Sequence, residues 1–164
     1  IFKDKFNAKP PGGEGFSAHY DGIFKFLDVK GKEKNGWYHY GDFFINVLLA
    51  LDNCTEKNGT IEIANSHLGD FDSLLKNTPK DGTPNLLKDI EKKNKFKKIN
   101  LNMGDLVVFK NTCPHRSDKN NSNTERRILY YTYSNFENGF QYNNYFDDKK
   151  NSKNNTVKSL TGKL

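Results

Sequence analysis

Apolar residues are scarce in this chain. Of its 164 residues 34% are hydrophobic, and the mean hydropathy is −0.87. No apolar run approaches the ~20 residues that a membrane-spanning helix needs, and no secretory leader opens the sequence. A membrane partner is therefore not expected, and a cytoplasmic location is. Cysteine is nearly absent: Cys54 and Cys113 stand far apart, which speaks for two free thiols in a reducing compartment rather than a disulfide scaffold. There is no internal repeat. Methionine does not open the chain. It begins with Ile1, and the expectation is a fragment, a processed chain or a trimmed one that lacks upstream elements.

Aromatics, at 13%, are what the chain does have. They argue for a core built of Phe and Tyr and against disorder throughout, in a length sufficient for one domain. The formal charge is +6, but the lysines are dispersed among Asp, Glu and Asn. The densest cluster, "EKKNKFKK" at 91–98, reads as a solvated face. Arginine is not interleaved there with aromatics as a single-strand binder requires, so nucleic acid is not an expected partner.

Short strands dominate the pattern. "IFKDKFNA" (1–8) alternates, with Phe2, Asp4, Phe6 and Ala8 on one face and Lys3, Lys5 and Asn7 on the other. "KPPGGEGFS" breaks it with a glycine turn, and a short strand is expected to carry both His19 and Asp21. Residues 22–42 read as a loop-rich insert. "FFINVLLAL" (43–51) suits a strand buried on both faces. Asn58-Gly59 is a tight-turn signal, after which "TIEIA" (60–64) returns. Residues 67–95 are irregular, with a helix expected around "NLLKDIEKK". Strands follow at "FKKINL", "LVVFK", "CPHR" and "RRILYYTYSNF". About eight strands separated by turns indicate an all-β sandwich or barrel. A domain over 1–146 and a polar, disordered or loosely wrapped tail over 147–164 are expected.

The chemistry-bearing residues sit at two places. "SAHYDGIFKF" puts His19 and Asp21 two apart, on one face of a strand, and His115 lies 94 positions beyond Asp21 in "FKNTCPHRSD". Two histidines and one carboxylate on one face of an octahedron leave open positions for a cosubstrate and dioxygen, the ligand set of non-haem iron(II) oxygenases. Arg126 follows His115 by eleven residues, at the start of a strand. A planar guanidinium is the best bidentate partner for a carboxylate. Strand alternation puts Arg126 and Arg127 on opposite faces, and only one of them can face inward.

Four blocks, "KPPGGEGFSAHYD", "DNCTEKNGTIEIANSHLGD", "LNMGDLVVFKNTCPHRS" and "RRILYYTY", together resemble the phytanoyl-CoA dioxygenase-like branch of the iron(II)/2-oxoglutarate oxygenases. The resemblance covers most of residues 1–146 and implies a double-stranded β-helix (jelly roll, cupin-like) with short helical and loop insertions. It also implies Fe(II) bound by His19, Asp21 and His115, with 2-oxoglutarate as cosubstrate and its far carboxylate held by Arg126. Ser117 matches a position that can hydrogen-bond the cosubstrate. Tyr20 replaces the commoner Gln between the first two ligands, which puts it at the cosubstrate or substrate pocket. "NSH" at 65–67 replaces the commoner "GSH". AlkB-type demethylases fit less well, since Asn121 stands where they place an arginine. The penicillin-synthase-like Arg-x-Ser pattern is absent too. Asp21 fills the position that halogenases leave for chloride, so hydroxylation of a small metabolite with release of succinate and CO2 is the implied reaction.

Blander readings stand beside these. His67 reads as a loop anchor, His39 as a surface or lid residue and Cys113 as a small buried filler; Trp37 either covers a pocket or packs in the core. A jelly roll that binds a small ligand without catalysis is the alternative to an enzyme. Lys3, Lys5 and Asn7 either face water or, if their face lines the barrel, make a cationic pocket for a small anionic substrate. The oligomeric state and the substrate's identity are left open by the sequence.

Overall fold

Alternation settles which way the first strand faces. In the computed structural model, which describes residues 1–28 and 30–151, strand β1 spans Lys3–Lys9. Asn7 and Lys9 are buried on its inward side, while Phe6 is exposed on the other. The remaining strands are β2 Phe16–His19, β3 Phe26–Leu27, β4 Glu33–Lys34, β5 Phe44–Ala50, β6 Ile61–Ile63, β7 Lys97–Lys98, β8 Leu106–Lys110, β9 His115–Ser117 and β10 Arg126–Ser134. Helices α1 Phe71–Leu75, α2 Lys88–Lys93 and α3 Tyr142–Asn151 complete the order, with 3-10 turns at Gly36–His39 and Phe136–Asn138. None of these helices is long and apolar enough to cross a membrane.

The strands form two four-stranded sheets, β1-β10-β5-β8 and β2-β9-β6-β7, and a small β3-β4 hairpin. One core cluster takes Leu48, Ala50, Phe109 and Ile128 from the first sheet and Ile61 from the second, with Cys54 and Cys113 as fillers. The two sheets therefore pack face to face as a jelly roll. A second cluster, Phe2, Phe24, Trp37, Tyr40, Phe44 and Tyr145, closes one end of the roll. A third sits under the short helices and contains Ala18, Tyr20, Ile23, Phe71, Leu74 and Leu86.

Register aligns the inward residues of the first sheet in rows. Lys3 pairs with Thr132, Lys5 with Tyr130, Asn7 with Ile128 and Lys9 with Arg126. Thr132 in turn pairs with Asn46, and Tyr130 with Leu48. One inner wall is thus a ladder of basic side chains backed by polar and aromatic ones.

Several expectations are corrected. β2 ends at His19, so Asp21 lies in the bend beyond the strand. β5 and β6 belong to different sheets; the Asn58-Gly59 turn carries the chain across the roll instead of closing a hairpin. β5 is buried on one face only, Ile45, Val47 and Leu49 remaining half-buried. Helix α1 starts at the Asp70 cap, whose carboxylate accepts the Ser73 N–H. Helix α3 crosses the boundary expected at 147. The rest of the expected tail, 152–164, lies outside the described residues.

The chain turns directly after Asp21. Gly22 adopts a φ of 79°, and a Cβ there would stand 2.5 Å from the Trp37 ring. Gly31 has the same φ of 79° but nothing within 4 Å. Gly22→Ala is therefore expected to cost about 1–3 kcal/mol more than Gly31→Ala, read from urea midpoints. Equal losses would show that Trp37 is free to move aside.

Candidate metal centre and cavity

β2 and β9 are neighbours, and their register sets His19 directly opposite His115, with ring centroids 4.2 Å apart. Asp21 comes up beside them. One ligand atom from each of the three residues fits within 4.8 Å of the others. Each imidazole is turned by a local carbonyl: Nδ1 of His19 donates to Ser17 O at 2.7 Å, and Nδ1 of His115 to Cys113 O at 3.1 Å. A carbonyl only accepts, so the proton sits on Nδ1 and Nε2 keeps its lone pair for a metal.

Asp21 is oriented by amides. Asn46 Nδ2 donates to Asp21 Oδ2 at 2.8 Å, and Thr132 Oγ1 donates to Asn46 Oδ1 at 2.9 Å. Asn111 holds the main chain: it accepts the Asp21 N–H at 3.1 Å and donates Nδ2 to the Asp21 carbonyl at 3.0 Å. Burial pushes the Asp21 carboxyl up, but His115, His19, Lys3 and Lys5 outweigh it and leave the group below its usual range. Burial, and then His115, depress His19 to about 4. At neutral pH the set is one carboxylate and an uncharged His19, the state in which such groups bind metal. Two imidazole nitrogens and a carboxylate, with the rest of the shell open to a cavity, fit a divalent transition metal such as iron.

The centre opens on a cavity of about 380 Å³. Arg126 lies in its wall, 2% exposed. One N–H reaches Asn7 Oδ1 at 3.1 Å, and Nε is buried with no partner. Behind the wall Lys9 is 3% exposed, and its ammonium donates to Ser117 Oγ at 2.8 Å and to Asp118 O at 2.5 Å. Because Ser117 Oγ accepts from Lys9, its own proton is left to donate into the cavity. Arg127 points outward and holds Asp52 through two nitrogens at 2.7 and 2.8 Å.

Lys3 and Lys5 line the cavity with Asp21. Lys3 Nζ lies 4.9 Å over the Trp37 ring, and Lys5 Nζ lies 5.2 Å over Phe16. Asn7 lines the same cavity and accepts from Arg126. Tyr20 borders the cavity while its ring packs in the cluster under the helices, and its hydroxyl is engaged by His67 Nδ1 and by Asn77 Nδ2 at 3.0 Å. His67 also meets Asn94 at 2.7 Å through Nε2 and is the anchor it was expected to be. Trp37 does both things foreseen for it, packing in the end cluster and lining the cavity.

Asn46, Asn111, Lys9 and helix α3 escaped the sequence reading. A lone Asn inside the apolar run 43–51 was the available signal for the first. Lys9 is the next inward position after Asn7, one residue beyond the alternating run 1–8.

With this geometry, the chain matches the phytanoyl-CoA dioxygenase (PhyH) family profile over residues 1–128, and it belongs to that family. It is 32% identical over 151 residues to a 2-aminoethylphosphonate dioxygenase of an uncultured bacterium, covering 92% of this chain and 51% of that one. It is 27% identical over 154 residues to a methylphosphonate hydroxylase of Gimesia maris, covering 93% and 52%. The chain thus spans about half the length of these curated relatives. Among solved structures, the epimerase SnoN of nogalamycin biosynthesis, in complex with Fe3+ and alpha-ketoglutarate, superposes with a TM-score of 0.60 at 15% identity, over 82% of this chain and 49% of that one. EctD of S. alaskensis with 2-oxoglutarate and 5-hydroxyectoine gives 0.59 at 14% identity, over 84% and 45%. These likenesses establish the fold.

Burial, and then Arg126, lower Lys9 from 10.5 to about 7. Below about 7 the folded and unfolded chains both hold this proton; between there and 10.5 only the unfolded chain does. Stability should therefore rise as pH increases through that window. Lys5, lowered to about 8 by burial and by Lys3, adds the same sign above that pH. Lys9→Met is expected to flatten the curve between pH ~7 and ~8, measured as denaturant midpoints. A slope unchanged in the variant would contradict the assignment.

Proposed function

We propose that this chain forms the catalytic core of an iron(II)- and 2-oxoglutarate-dependent dioxygenase that hydroxylates a small anionic metabolite. The observation that carries the reading is the pairing of the His19–Asp21–His115 set with a buried, under-partnered Arg126 across the same cavity. Iron(II) with 2-oxoglutarate and dioxygen would supply oxidation of a substrate C–H bond, with release of succinate and CO2.

The protein's own share is binding, orientation and exclusion of water. His19, Asp21 and His115 would hold the metal, their atoms fixed by Ser17, Cys113 and Asn46. Arg126 and the Ser117 hydroxyl would take the far carboxylate of 2-oxoglutarate, with Asn7 and Lys9 fixing the two groups. Lys3 and Lys5 would attract the substrate's charge, and Phe24, Trp37, Tyr145 and Phe146 would keep water from the same end. A cavity of about 380 Å³ that must also take 2-oxoglutarate favours a substrate of few heavy atoms over a bulky acyl thioester. The two phosphonate-acting relatives agree with a small anion.

Anaerobic titration with Fe(II) and 2-oxoglutarate tests the reading through the weak visible absorbance of the ternary complex. It should be lost in His19→Ala, Asp21→Ala and His115→Ala. Arg126→Ala should weaken 2-oxoglutarate by roughly 2–5 kcal/mol, tens- to thousands-fold, and Arg127→Ala far less. Aerobically, 2-aminoethylphosphonate or methylphosphonate should stimulate succinate release. Binding of a small ligand with no metal-dependent succinate under any condition would support the non-catalytic module instead.

A further inference from the structure

Helix α3 lies beyond the residues that match the family profile, 1–128, yet it reaches the cavity. Three attachments place it. Tyr142 donates to Asp4 of β1 at 2.7 Å. The Tyr145 ring packs against Phe2, with centroids 4.9 Å apart. Asp148 accepts from Tyr40 Oη at 2.7 Å and pairs with Lys34 at 3.3 Å. So fixed, the helix brings Lys149 into the cavity wall beside Lys3 and Lys5.

We propose that Lys149 completes, with Lys3 and Lys5, a three-cation site for the anionic head group of the substrate, and that α3 is thereby a specificity element of this chain. This rests on the reading of the cavity as a substrate pocket given above. Among the described residues none of the three ammonium groups has an ion-pair partner. Asp148, the neighbouring carboxylate on the helix, is committed to Lys34 and Tyr40. Lys3 and Lys5 rest on aromatic rings, which attract a cation without cancelling its charge. Asp21 is the carboxylate they share, and the metal would claim it. Like charges gathered around a partly desolvated space repel one another until an anion enters.

The element origins also define the chemistry. Two donors come from strand β1 and the third from helix α3, which packs beside it, so they reach the cavity from two separate elements. Ammonium groups arranged in this way suit a tetrahedral oxyanion with three terminal oxygens, a phosphonate or phosphate group, better than a planar carboxylate with two. The carboxylate-shaped site is elsewhere, at Arg126 and Ser117.

Equilibrium binding of methylphosphonate to the metal-free protein, followed by 31P NMR or calorimetry, tests this without turnover. Lys149→Ala should weaken binding by about tenfold. Lys149→Arg should retain most of the affinity. Lys150→Ala removes the same charge from an exposed neighbouring position and should change affinity less than about twofold. Anaerobic 2-oxoglutarate binding to the Fe(II) form should be the same in Lys149→Ala as in the parent, which also confirms that the variant is folded. Equal losses from Lys149→Ala and Lys150→Ala, or no methylphosphonate binding by the parent, overturn the site. If methylphosphonate binding depends on Lys149 while no Fe(II)–2-oxoglutarate complex forms, the oxygenase reading fails and the anion site stands.

Discussion

A guanidinium buried inside a protein needs an anion, and Arg126 has none among the described residues. It is 2% exposed, makes a neutral hydrogen bond to Asn7 and keeps Nε unpartnered. Burial alone draws it below the ordinary arginine value, while arginine stays charged at any pH a protein meets. Stranding a buried charge costs several kcal/mol. The same strand adds Lys5 and Lys3 to the cavity wall in neighbouring rows of the β1–β10 ladder, with Lys9 two rows further on, beyond Asn7. This arrangement is what supports the proposal that negative charge fills the cavity, and much of the surrounding structure can be understood as holding that cavity in shape.

The jelly roll supplies the holding. Antiparallel pairing of β1 with β10 and of β10 with β5 fixes the basic ladder against Thr132 and Asn46. Through Asn46 that wall reaches Asp21, while β2 and β9 of the opposite sheet present His19 and His115 as a directly opposed pair. The metal set is therefore assembled where the two sheets meet, with each donor oriented by a neighbour that has no freedom to leave: Ser17 and Cys113 through main-chain carbonyls, Asn111 through a reciprocal amide contact. The aromatic cluster around Phe2 and Trp37 closes the end where Lys3 lies.

What the sequence made legible follows period-2 logic and fixed spacing. That Lys3, Lys5 and Asn7 share one face was visible from a strand's local alternation, though not that this face is the inward one. The choice of Arg126 over Arg127 and the three metal-set residues were visible because the four blocks preserve order and spacing. What was hidden depends on tertiary contacts. The Asn58-Gly59 turn has the chemistry of a hairpin, but β5 and β6 pair with other strands, so local turn residues could not reveal the crossing. Asn46 was masked by its apolar neighbours in 43–51; it is tolerated there because its amide is satisfied on both sides, by Asp21 and Thr132. The segment from 147 on has the composition of a solvated tail, although α3 runs into it. That helix is held by a few side chains, Tyr142, Tyr145 and Asp148, whose partners lie more than 100 residues away in sequence.

The central claim is that the cavity takes two anions at once, one at Arg126 and one among the lysines near Lys3. The most direct measurement is anaerobic: 2-oxoglutarate affinity for the Fe(II) protein, read from the visible absorbance of the complex, at increasing methylphosphonate. The account predicts that the complex persists at saturating methylphosphonate with its 2-oxoglutarate affinity unchanged or tightened. Competitive displacement, with the apparent dissociation constant for 2-oxoglutarate rising in proportion to methylphosphonate, would show a single anion site and contradict it.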